Sequence, residues 1–148
     1  MKKNSKSAVR KNPPTKQLSG QDYRQLADVR YALRKFMEFS EKAAREAGLT
    51  SQQHQALLTI KGLSVVGNVS VGDVAKRLIS HHNSTVELLD RLVDLGLVER
   101  RGDENDKRRI NIVLTMRAER LLGELSDAHV AELKRLRPVL QMMLGFLE

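Results

Sequence analysis

The amino-acid sequence predicts a mainly α fold with one small β-hairpin. Three observations carry that prediction. Apolar residues recur at three- and four-residue steps through most of the chain. A short helical segment capped by Ser70 is separated by a tight turn at Ile79-Ser80 from a second, running from about His81 to Leu95. Two β-patterned runs, Leu97-Val98-Glu99-Arg100-Arg101 and Ile110-Asn111-Ile112-Val113-Leu114, then flank a polar loop.

The first helix is expected from Gln21 to Ala47, with Ser19 and Asp22 at capping-box spacing. Leu26, Val29, Leu33, Phe36, Ser40, Ala43 and Ala47 form its stripe, and Tyr23, Ala27, Tyr31 and Phe39 widen the apolar surface. At 1.5 Å per residue it spans roughly 40 Å, more than a compact core of this size requires. Gly48 ends it. Thr50 caps the second helix, with Gln53 at the reciprocal position and Leu57, Leu58, Ile60 and Leu63 as its buried face. The turn-rich Val65–Val69 stretch has room for a very short strand.

In the next helix Val74, Ala75 and Leu78 point inward. In the one after it Val86, Leu89, Leu92 and Val93 do so, and Gly96 closes it. This pair is the outline of a helix-turn-helix, and a hairpin directly after such a pair is a wing. Thr115 caps a fifth helix carrying Leu121, Leu122, Leu125, Ala128, Leu133 and Leu136. Pro138 sets a boundary, because proline suits the first turn of a new helix. Of the nine residues from Val139 to Leu147, seven are apolar.

The 148 residues suit one folded unit, and 41% apolar content supplies a core. Three regions are expected: a flexible basic arm over 1–20, a winged helix-turn-helix over 49–115, and a helical dimerisation region from 21–48 and 116–148. Absence of cysteine removes disulfides, thiolate metal sites and thiol nucleophiles. No apolar run approaches the roughly 18 residues of a membrane span, and no hydrophobic segment of a secretory signal follows the basic N-terminus. A cytoplasmic protein with no membrane partner is the expectation.

Charge is uneven. Residues 1–20 hold six bases and no acid, whereas the other 128 hold 20 bases and 18 acids, leaving +2 of the total +8. The arm either adds phosphate affinity without sequence preference or merely solubilises the chain. The nearly neutral body argues against a general nucleic-acid binder.

A short helix that is apolar nearly all round exposes a large patch on a monomer, and the long first helix has the same difficulty. A homodimer in which these segments bury each other across a two-fold axis resolves both. Tyr23, Tyr31, Phe36, Phe39 and Phe146 are the only aromatics. They serve either dimer packing or the wall of an apolar effector pocket.

The leading edge of the fourth helix is Ser80, His81, His82, Asn83, Ser84 and Thr85. Short polar side chains at a helix N-terminus suit the major groove: asparagine pairs bidentately with adenine, and histidine, serine and threonine reach bases or phosphates. In the wing, Lys107, Arg108 and Arg109 supply cations for the minor groove, with Asp106 placed to hold the Arg108 guanidinium. Double-stranded DNA is the expected partner.

Other signals fail. Gly62 and Gly67 have phosphate-loop spacing, but Asn68 and Val69 follow where lysine and a hydroxyl residue are needed. His81 and His82 are neighbours on a helix and make a poor metal pair. There is no local signature of a Ser–His–Asp site. No enzyme, cofactor or metal is expected.

The constellation resembles the MarR family of transcriptional regulators from about Gln21 to Glu148. The resemblance rests on Leu49-Thr50, on Asp90-Arg91-Leu92 followed by Gly96-Leu97-Val98-Glu99-Arg100, and on Asp106-Lys107-Arg108-Arg109 followed by Leu114-Thr115. It implies a triangular winged-helix homodimer with recognition helices in successive major grooves of a pseudo-palindrome. It also implies that Arg108, oriented by Asp106, enters the minor groove. Members often repress, and release DNA when a small ligand or an oxidant acts. Without cysteine the ligand is the expected input, an aromatic or phenolic anion. Its pocket would lie between the first, second and fifth helices, where His54 is either a wall residue or a core histidine. Glu87 departs from the family, which often has a base there. The competing reading is a non-specific architectural DNA-binding dimer, and a third is an interaction module that has lost DNA binding.

Overall fold

The computed structural model describes residues 17–148. Most of the expected basic arm lies outside the described residues. Six helices and two strands follow in the order α1 (Gly20–Glu46), α2 (Ser51–Ser64), α3 (Val71–Leu78), α4 (His82–Asp94), β1 (Val98–Gly102), β2 (Ile110–Leu114), α5 (Met116–Arg135) and α6 (Arg137–Leu147).

Local chemistry sets the boundaries. Ser19 with Asp22, Thr50 with Gln53 and Ser70 with Asp73 each close a reciprocal capping box, so the first three helices start where side chains satisfy free backbone N–H groups. The Thr115 hydroxyl accepts from Ala118 N–H at the head of α5. Gly48 and Gly96 follow α1 and α4 with φ of 80° and 70°. Leu49 N–H and Leu97 N–H can then turn back to the carbonyls of Ala44 and Leu92 at 2.9 Å.

The strands pair antiparallel, from Val98 opposite Leu114 to Gly102 opposite Ile110. The stretch with room for a short strand forms none among the described residues, but Val69 binds β2 on both sides. Val69 C=O accepts from Ile112 N–H, and Val69 N–H donates to the Asn111 side chain, both at 2.8 Å. The core is made by Leu57 and Ile60 of α2, Val74 of α3, Leu89 and Leu92 of α4, and Leu97, Val98 and Ile112 of the hairpin. Ala44 of α1 and Ala118, Leu122 and Leu125 of α5 close it.

The stripe expected on α1 holds only in part. Ser40 is buried, as is Ala44, and Ala43 and Ala47 pack against the core, while Leu26 and Leu33 are exposed and Ala32 is buried instead. Ala128 of α5 is also exposed. The core lies against the C-terminal half of α1, and residues of α5 and α6 stand beside Tyr31 and Lys35 nearer its N-terminal half. The last helix lies against α1 of its own chain and contributes no buried residue. Leu144 and Leu147 stay 59% and 72% exposed, and Leu33 and Met37 of α1 both 51%.

Candidate nucleic-acid interface

The turn between α3 and α4 is sharp because Ile79 adopts the left-handed conformation, φ 53° and ψ 46°. Ser80 N–H then reaches back to Ala75 C=O at 3.0 Å. His81 is the cap residue of α4, with an extended backbone and no side-chain cap bond. No acid lies in the first turn. The positive end of α4 is therefore bare, the condition that favours an approaching phosphate or base acceptor.

Ser80, His81, His82, Asn83 and Ser84 are exposed around that end. Thr85 is not. The expected contact is fully buried, and its hydroxyl donates to His81 C=O at 3.0 Å. Since a hydroxyl has one proton, the 2.7 Å contact between the Ser80 and Thr85 oxygens is donated by Ser80. Thr85 thus supports the turn from inside, because the core face of α4 passes through it on the way to Leu89 and Leu92. Glu87 is exposed one turn further along.

The wing tip is organised by two aspartates. Asp103 accepts from Asn105 N–H at 2.8 Å and from the Asn68 side chain at 3.2 Å. The Asn105 N–H is the main cause that holds its carboxyl below the ordinary carboxylate range. Asp106 does not orient the Arg108 guanidinium, contrary to expectation. Its Oδ1 accepts from the Arg108 backbone N–H at 3.0 Å, and its Oδ2 lies 3.7 Å from Arg109 Nε. An aspartate two residues back reaches the backbone more readily than the far end of a long side chain. Lys107, Arg108 and Arg109 are exposed, and Arg108 and Lys107 form no ion pair among the described residues.

Three residues outside the expected set connect these pieces. Asn68 ties the loop after α2 to the wing, Asn111 ties Val69 to β2, and Asp90 of α4 binds Arg100 of β1 at 2.6 Å. At the other end of α4, Arg117 donates to Leu95 C=O at 3.0 Å and the Thr115 hydroxyl to Gly96 C=O at 2.8 Å. Both come from the α5 junction. Their signal in the sequence was weak, since nothing in spacing pairs residues 22 or 35 positions apart.

His54 lies in α2, as a candidate pocket wall should, but the space around it is filled. It is 3% exposed, and its Nδ1 has no hydrogen-bond partner among the described residues. The His129 ring stands 4.7 Å from it, and the rings of Phe36 and Phe39 stand 5.9 and 5.5 Å from His129. His54 is therefore a core residue that is not satisfied. An open groove of about 570 Å³ lies instead between α1, α5 and α6, with Tyr31, Lys35, Arg135 and Met142 among its walls.

Residues 47–109 match the family model described as MarR family. The chain is 33% identical over 69 residues to YfiV of Bacillus subtilis (strain 168), an uncharacterized HTH-type transcriptional regulator. That match covers 47% of this chain and 43% of the relative, under half the relative's length. Among solved structures, a MepR variant of S. aureus bound to an oligodeoxyribonucleotide superposes with a TM-score of 0.66 at 21% identity, over 85% of this chain and 98% of that one. CouR of Rhodococcus jostii, bound to p-coumaroyl-CoA, gives 0.68 at 21% identity, over 87% and 93%. At such identities the likeness is one of fold.

Proposed function

We propose that this chain, whose residues 47–109 match the MarR family model, is a sequence-specific, DNA-binding transcriptional regulator. It acts as a homodimer on a pseudo-palindromic operator, as a repressor, and a small aromatic or phenolic effector releases it. The observation that carries this reading is the bare N-terminus of α4, ringed by exposed Ser80, His81, His82, Asn83 and Ser84. Asn83 offers both a donor and an acceptor to a base edge, and the dipole draws the duplex toward it. Lys107 and Arg108, unpaired at the wing tip, are available to a phosphate or to the minor groove.

The homodimer is supported by apolar surface that one chain leaves open: Leu33 and Met37 on α1, Leu144 and Leu147 on α6. Two such faces buried against each other remove that area from water. Effector release is supported by the bonds from α5 to the end of α4. A ligand that moves α5 moves the reading helix with it.

The reading of an architectural binder is disfavoured by charge, since non-specific affinity is supplied by phosphate neutralisation. The deciding experiment selects a duplex from a random-sequence pool with the purified protein, then titrates salt against it and an unselected duplex. A sequence-specific regulator keeps a large preference for the selected duplex at moderate salt. Equal affinities that collapse together identify the architectural binder, and no binding at all identifies an interaction module.

A further inference from the structure

Ser40, His129 and His54 meet where α1, α5 and α2 converge. His129 Nδ1 lies 2.6 Å from the carbonyl of Leu125, and its Nε2 lies 2.7 Å from Ser40 Oγ. A carbonyl only accepts, so Nδ1 carries a proton. Nε2 is then free to change state. Unprotonated, it accepts from the Ser40 hydroxyl; protonated, it donates to it. The hydroxyl turns, and neither hydrogen bond is lost. His129 can become a cation without leaving its place.

His54 has no such freedom. Its Nδ1 is buried without a hydrogen-bond partner among the described residues, and the His129 ring stands 4.7 Å away. A proton on His54 puts a second positive charge into apolar surroundings beside the first. Burial, and after it the charge of His129, hold His54 below the ordinary histidine value of 6.5. Nothing nearby offsets this. From α1 the pair meets Phe36, Phe39 and Ser40, none ionisable. On α5, Glu132 is paired with Arg135 at 3.4 Å, and Glu119 with Lys61 of α2 at 2.7 Å. Lys35 of α1 sits over the Tyr31 ring. No carboxylate is ion-paired with either histidine among the described residues.

We propose that Ser40, His129 and His54 form a proton-operated latch between α1, α5 and α2. It is shut while the two rings share at most one positive charge and is forced open by acid. Because α2 packs on α3, α4 and β2, opening displaces the recognition unit from the long helices. Only this output rests on the duplex-binding reading; the titration does not.

The test uses the full chain with His54→Met, which fills the volume without charge, and His129→Gln. Histidine ring signals are followed by NMR between about pH 5 and about pH 8. In the wild type His54 titrates below the ordinary range, and His129→Gln raises its midpoint. The unfolded chain takes up a proton as pH falls below 6.5 while folded His54 does not. The melting temperature therefore drops between about pH 7.5 and about pH 5.5, and His54→Met reduces that drop. Affinity for a selected duplex falls about tenfold over the same range in the wild type but not in His54→Met. Midpoints indifferent to the partner's substitution, or an equal melting drop in His54→Met, overturn the latch. Should no duplex bind at any pH, the DNA reading fails and the latch is judged on titration and melting alone.

Discussion

Asp90 of α4 and Arg100 of β1 are joined by a 2.6 Å hydrogen bond, so α4 and the hairpin are tied side chain to side chain. Arg100 is 30% exposed and Asp90 55%, which places the pair at the surface rather than in the core. Pairs of this kind contribute about 0–1 kcal/mol to stability. Its value lies in geometry, because a hairpin held against α4 presents its tip at a fixed distance from Asn83. Asp90→Ala is expected to leave the melting temperature nearly unchanged and to weaken duplex binding several-fold. Paired melting and fluorescence-anisotropy measurements check this; equal losses in both would reduce the bond to a stability contact.

At the wing tip, the structure separates two roles that the sequence places together. Asp106 shapes the loop through the Arg108 backbone N–H, and the Arg108 guanidinium has no ion pair among the described residues. Arg108→Ala should weaken specific binding by roughly 1–3 kcal/mol and leave the oligomeric state alone. Asp106→Ala should also lose affinity, through a disordered tip. A variant with wild-type affinity after loss of Arg108 would remove the wing from the recognition mechanism.

Much of the fold was legible because its signals are local. The caps at Ser19, Thr50 and Ser70, the glycines at 48 and 96 and the alternation of Ile110–Leu114 each act within a few residues, and most elements begin and end within about one residue of expectation, whereas α6 starts at Arg137 rather than Val139. The exposed edge from Ser80 to Ser84 was legible for the same reason. Burial of Thr85 was not, because it depends on how α4 rolls against α2 and on Leu89 beneath it. His129 escaped notice as well. Its partners Ser40 and His54 lie 89 and 75 positions away, and no periodicity reports a contact between three helices. Charge alone pairs Asp106 with the Arg108 side chain, whereas in the structure Asp106 accepts from the Arg108 backbone N–H, which lies within shorter reach.

The exposed leucines of α6 make a second region testable. Residues 139–148 touch α1 but bury nothing fully, so a monomer gains little by keeping them. If two chains are joined through this face, deletion of 139–148 abolishes dimerisation and leaves an apolar surface open to solvent. Sedimentation velocity reads the first effect and dye binding the second. A truncated chain that still sediments as a dimer would move the interface elsewhere.

Ile79 offers the sharpest test of the turn. A β-branched residue at φ 53° is unusual, since its side chain crowds the following carbonyl, at a cost on the order of 1–2 kcal/mol. The Ile79 side chain is 95% exposed, so no burial compensates. Asparagine tolerates this region and keeps more backbone restriction in the unfolded chain than glycine. Ile79→Asn is therefore expected to raise stability by about 1 kcal/mol, read by urea unfolding. A stability equal to or below wild type would mean that the turn carries no strain and that Ile79 gains contacts from a partner. If the stabilised variant also binds duplex less well, the strained isoleucine is retained for the interface it borders at Ser80, the pattern expected where strain is stored at a functional site.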